Sequence, residues 1–140
     1  MPESTLVARE RGVDISEQRC RPLTRQEIHD ADLVVAMAEE HRHEVLRLDP
    51  EAAMCTFTLP ELTSILAVMP PAEGSSEHQA RARIAEAHRR RGSEHGGEIR
   101  DPLGLGLVTY REVGAEIEAG VDELVGGLFG VSEAPRAAEA

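Results

Sequence analysis

Asp101 and Pro102 stand in the stretch "IRDPLGLG", Ile99 to Gly106, directly before an amphipathic helical pattern. A carboxyl group on a proline-stiffened loop suits proton transfer to a departing group. An Asp-Pro pair equally suits an ordinary turn, and the pair alone leaves both readings open. Potential nucleophiles are few. Cys20 and Cys55 are the two cysteines, and they form neither a disulfide framework nor a zinc-binding pattern. No serine lies in a nucleophile-elbow context, and there is no phosphate-binding Walker pattern.

The remaining chemistry-bearing residues read as surface. His41 and His43 are two positions apart, so a helix would point them to different faces. His88 and His95 straddle Gly92 without a neighbouring cysteine or a carboxylate at metal-ligand spacing. No metal site or cofactor site is expected. The run "RRR", Arg89 to Arg91, reads as a solvated helix end rather than a phosphate contact. "GLG" at 104–106 lacks the third glycine of a dinucleotide loop and follows no strand.

Composition narrows the partners. The 140 residues carry a formal net charge of −11, which argues against a nucleic-acid backbone. All 15 basic residues are arginine, which fits a high-GC source. Hydrophobic residues make up 41% and aromatics only 2%, so a core must be built from aliphatic side chains. The best apolar run, "ILAVM" at 65–69, is far too short to cross a bilayer. Without a signal-like start, a reducing cytoplasm is the expected compartment.

The elements that would carry these residues alternate. Residues 4–11 read as a short helix stopped by Gly12. Thr24 and Glu27 have capping-box spacing. "DLVVAM", Asp32 to Met37, is a short continuous apolar run, as in a strand buried on both faces. A helix over 38–48 follows, with Val45, Leu46 and Leu48 inward and Asp49-Pro50 ending it. "MCTFTL", Met54 to Leu59, is the second strand candidate, and Pro60 suits the first position of the next helix.

A Pro/Gly/Ser loop spans 69–77, and a polar helix runs from His78 to Arg91, with Gly92 as its cap. Thr109 and Glu112 have the spacing of a second capping box. The final helix carries an apolar stripe of Val113, Ile117, Val121, Leu124 and Leu128. Residues 132–140 read as a disordered acidic tail, leaving 1–131 as one domain. The alternation predicts an α/β layered fold with a parallel sheet, although two strands alone make a marginal one.

Five segments in order, "RERGVDIS", "RCRPLT", "ADLVVAMAEEHRHEV", "TFTLPEL" and "DPLG", resemble the low-molecular-weight protein tyrosine phosphatases in their bacterial form. The likeness runs from about Leu6 to Leu128. It implies a flavodoxin-like parallel sheet with flanking helices, and hydrolysis of a phosphate monoester through a phospho-cysteine. In that family the cysteine opens a C-x5-R loop after the first strand. Backbone N–H groups and the helix dipole hold the phosphate there and lower the thiol pKa from about 8.5. The arginine grips the phosphate in a fork, and a late Asp-Pro loop protonates the leaving phenolate.

By this resemblance Asp101, followed by Pro102, is the general acid. The C-x5-R loop has no counterpart. Counting from Cys20, the arginine position is Gln26; counting from Cys55, it is Glu61. The resemblance therefore implies that the first two strands and the phosphate loop would precede Met1. Asp32–Met37 and Met54–Leu59 would then match the third and fourth strands. Gln18 replaces the histidine of the family's "HRSR"-like segment, and Cys20 takes its serine or alanine position, where a small partly buried residue is expected.

The expected activity is thus that of a phosphatase domain inactive as written. It would act on a phosphotyrosine-containing protein or aryl phosphate once the missing segment is restored. The alternatives are a truncated reading of a complete enzyme, a decaying remnant, or a pseudophosphatase. The last would bind a strand-completing partner or itself. A relative of the arsenate reductases, which share the fold, is disfavoured, because they need a cysteine pair after the third strand and no cysteine follows Asp32–Met37 before Cys55.

Overall fold

The structure is a computed structural model, and it describes residues 2–19, 21–92 and 95–130. Cys20 and the expected tail at 132–140 lie outside the described residues. The order is α1 (Pro2–Glu10), α2 (Arg25–Asp30), β1 (Val34–Ala36), α3 (Glu39–Leu48), a 3-10 turn (Pro50–Met54), β2 (Thr56–Thr58), α4 (Leu59–Val68), α5 (Glu77–Arg89) and α6 (Leu107–Phe129).

β1 and β2 are parallel, with Val34 opposite Thr56, Val35 opposite Phe57 and Ala36 opposite Thr58. α3 supplies the crossover that a parallel pair needs. Each strand is three residues long, shorter than the apolar runs that announce it. The fold is mixed α/β, a small parallel sheet flanked by helices, as expected.

Strand alternation distributes the core to both faces. Val34 packs with Ile28 and Val45 from α2 and α3. Val35 packs with Leu59, Ile99 and Val113 on the other face. Phe57, on that same face, is fully buried among Leu62, Ile65, Ile84 and Leu128. α6 lies close over α4 because its contact positions are glycines. A Cβ on Gly120 would sit 2.7 Å from Leu59, and one on Gly127 2.9 Å from Leu66.

Local signals position the elements. Thr24 and Glu27 make both bonds of the capping box at α2. Gly12 closes the turn after α1 at φ +79°, a conformation costly for other residues. Pro60 sits in the first turn of α4, with the Thr58 hydroxyl capping Glu61 N–H. Asp49 ends α3 and its buried carboxylate accepts from Glu51 N–H, opening the 3-10 turn. Among the described residues, no helix is long and apolar enough to cross a membrane.

Several expectations fail. α6 begins at Leu107 with Gly106 as N-cap, and no side chain caps it. Thr109 lies inside the first turn, where its N–H already bonds Gly106 O, so it cannot act as a cap. α5 is capped by Ser76 at its start, and its C-cap is Arg90, not Gly92. In the α6 stripe Val113 and Leu128 are buried, but Val121 stays 41% exposed. It lines an open groove between α1 and α6 with Val7, Val113 and Ile117, and no side chain closes over it there.

Another failure is Arg91. Arg89 and Arg90 are exposed and pair with Glu86, as a solvated helix end should. Arg91 instead turns inward and stacks over the Phe57 ring, 3.9 Å from its centroid. Its guanidinium donates to Ala53 O at 2.6 Å and to Thr56 O, and lies 3.4 Å from Glu61 Oε1. The chain leaves α5 there, so the side chain can fold back along β2, where backbone carbonyls and an aromatic face replace water. Burial holds its pKa below the usual arginine value, and the charge of Glu61 opposes that shift.

Candidate active site

The residues between α5 and α6 return to the carboxyl end of β1. Ile99 N–H donates to Met37 O at 2.7 Å, extending the strand's edge by one bond. The Ile99 side chain is buried with Leu59 and Val113, which anchors the segment from below. Glu98 Oε1 accepts Glu39 N–H at 2.8 Å, and Arg100 Nη2 pairs with Glu112 at 3.0 Å. Asp101 follows, exposed, with Oδ1 accepting Leu103 N–H at 2.9 Å in an Asx turn.

A cleft of about 480 Å³ opens at this point, between Met37, Ala38 and His41 on one side and Asp101, Pro102 and Ile117 on the other. In open α/β sheets the carboxyl ends of strands are where ligands bind. One oxygen of Asp101 is engaged in its own turn, which fixes the carboxyl group while the side chain stays accessible. Desolvation, then the charges of Glu3 and Asp101, push the nearby Tyr110 phenol up.

Cys55 is not placed to attack a group held by Asp101. Cys20 lies outside the described residues. Cys55 is half-buried at the amino end of β2, where its carbonyl accepts Val34 N–H at 2.9 Å. The strands are parallel, so the sheet separates Cys55 from the Asp101 loop at the other end. Burial pushes the Cys55 thiol up, and Asp49 and Asp32 add to the shift. An activated nucleophile needs the opposite environment.

The histidines divide. His41 and His43 are exposed, as expected, and His41 borders the cleft beside Glu40. His95 departs from the surface expectation: half-buried, its Nδ1 lies 3.0 Å from Ser64 Oγ. Among the described residues no three His, Cys, Asp or Glu side chains form a metal-holding group. Sequence reasoning missed Glu98 and Arg91. Nothing in local spacing could reveal the first, since its partner is 59 residues away. The second could be suspected only from an arginine one step beyond a helix end.

A family model described as low molecular weight phosphotyrosine protein phosphatase matches residues 1–90, which include both strands and all the helices but α6. Asp101 lies beyond the matched stretch. No curated protein and no solved structure matches the chain.

Proposed function

Because the chain belongs to the low molecular weight phosphotyrosine protein phosphatase family, we propose that it provides the acid half of a phosphate-monoester hydrolase. Asp101 is the general acid of this reading, and the nucleophile comes from a C-x5-R loop that these 140 residues do not contain. The observation that carries it is the bond from Ile99 N–H to Met37 O, which holds the Asp101 loop at the carboxyl end of β1. A phosphate bound beside that strand end would have a carboxyl group within reach of its leaving oxygen. The thiolate attacks phosphorus while Asp101 gives its proton to the departing aryl oxygen, and water then frees the phospho-cysteine.

The substrate class is a phosphotyrosine-containing protein or an aryl phosphate. A segment bearing the first strand and phosphate loop would pair with the free edge of β1. A reducing compartment such as the cytoplasm suits a thiolate nucleophile.

Alone, residues 1–140 should leave an aryl phosphate at background hydrolysis. Adding a polypeptide with the first strand, phosphate loop, first helix and second strand of a related phosphatase should produce turnover. Asp101→Asn should then slow a poor leaving group by about 10²–10⁴-fold and a good one much less. Turnover by the chain alone that disappears in Cys20→Ser would overturn this assignment. A second reading, a non-catalytic partner-binding domain, is favoured by the open apolar groove of about 490 Å³ between α1 and α6. Tight binding of the added segment without turnover would select it.

A further inference from the structure

α3 begins without a cap of its own. Its N-cap is Ala38, whose methyl side chain accepts nothing. A helix start leaves backbone N–H groups unpaired, and a side-chain oxygen normally takes one of them. Here the oxygen arrives from far along the chain: Glu98 Oε1 accepts Glu39 N–H at 2.8 Å. The next residue, Ile99, bonds Met37 O at 2.7 Å, so two successive residues of one segment grip both sides of the β1–α3 junction. Two positions further on stands Asp101, its carboxyl fixed by Leu103 N–H.

From this geometry we propose that Glu98 is a positioning residue for Asp101, acting by capping α3 from the loop that carries the acid. The carboxylate is favoured there by the helix dipole. Glu39 also brings negative charge to this turn, but Arg42 Nε holds its carboxylate at 2.9 Å. Among its described residues the loop has one buried anchor near its tip, Ile99, and the Arg100–Glu112 pair beside it is exposed and screened by water. The Glu98 cap supplies the second point, so the direction of Asp101 depends on it. This rests on Asp101 being the general acid, but its first test does not need turnover.

In the full chain, amide hydrogen exchange should be followed at Glu39, Leu103 and the α4 residues Leu62 and Ile65. Glu98→Ala should speed exchange at Glu39 about fivefold, the usual worth of a cap. Leu103, which reports the Asp101 turn, should speed up with it, while Leu62 and Ile65 stay unchanged. Glu98→Gln keeps an acceptor oxygen at the same reach and should restore protection at both sites.

Unchanged exchange at Glu39 in Glu98→Ala, or Gln behaving like Ala, would overturn the cap. A change at Glu39 without one at Leu103 would overturn the coupling to Asp101. Parallel loss at Leu62 would reduce the effect to general destabilisation and overturn it too. In the complemented enzyme, Glu98→Ala should lower kcat for a poor leaving group with little change in KM. If Asp101→Asn has no effect there while Glu39 and Leu103 respond as stated, the general-acid reading fails and the positioning result stands.

Discussion

The two flanks of the sheet are built to different standards. On the β2 side, Thr56, Phe57 and Thr58 are wholly buried, and α4 and α5 cover them with Leu62, Ile65, Ile84 and Ala87. Arg91 closes that side, tying the end of α5 to the carbonyls of Ala53 and Thr56. On the β1 side, Val34 and Val35 are half-buried and the outer edge of the strand has no described partner strand. The α1–α6 groove next to it is apolar and open, with Val13 and Val121 exposed at its walls.

The same alternation of apolar side chains therefore yields a core where helices close over it and a surface where they do not. Burial area, not residue type, sets the stabilisation. The Asp101 loop sits on the weaker flank, at the end of β1. Its fixity must come from specific bonds, such as those of Ile99 and Glu98, more than from packing.

The sharpest way to break this contrast is truncation on each flank. Phe57→Ala should cost about 3–5 kcal/mol by urea denaturation, since it removes a fully buried ring and the surface on which Arg91 rests. Val35→Ala, across the strand pair, should cost roughly 1–2 kcal/mol because its side chain is smaller and part of its area is already exposed. Equal losses would show that β1 is as well covered as β2.

Two adjacent glycines of α6 test the packed flank at the next level. Gly127→Ala would place a methyl 2.9 Å from Leu66 and should destabilise by about 1–3 kcal/mol. Gly126→Ala meets nothing within 4 Å and should stabilise by about 0.5–1 kcal/mol through helix propensity. Thermal melts of the two variants should move in opposite directions. A shift of the same sign in both would mean that α6 does not approach α4 in this register.

The smallest effect belongs to the open flank. Val121→Ser removes an apolar group that the fold does not bury and should change stability by less than about 0.5 kcal/mol. It should, however, lower binding of a hydrophobic dye and weaken capture of a strand-bearing segment. A loss of several kcal/mol by denaturation would place Val121 in a core.

Much of the architecture was legible because it depends on neighbours in the chain. The capping box at Thr24 and Glu27, the stop at Gly12 and the proline in the first turn of α4 are local arrangements of a few residues. β1 and β2 announce themselves as short apolar runs because a parallel strand is covered on both faces. The second capping box fails for a local reason as well. Gly106 and Leu107 adopt the helix start first, leaving Thr109 a turn too late.

The candidate site was legible only as Asp101 and Pro102, through their type and order. What holds them at the end of β1, the bonds of Ile99 to Met37 and of Glu98 to Glu39, joins residues about sixty positions apart.

The sequence by itself determined the alternation of strands and helices, the aliphatic character of the core and the net charge of −11. It also determined that no cysteine here has arginine in the C-x5-R position. Each of these is a property of composition or near neighbours. Only the tertiary structure decided that Arg91 is interior while Arg89 and Arg90 are wet, that Cys55 lies at the opposite end of the sheet from Asp101, and that Val121 stays exposed on a stripe otherwise turned inward. The reason is physical: burial and direction are set by what arrives from distant parts of the chain. An identical side chain is core or surface according to whether a helix closes over it.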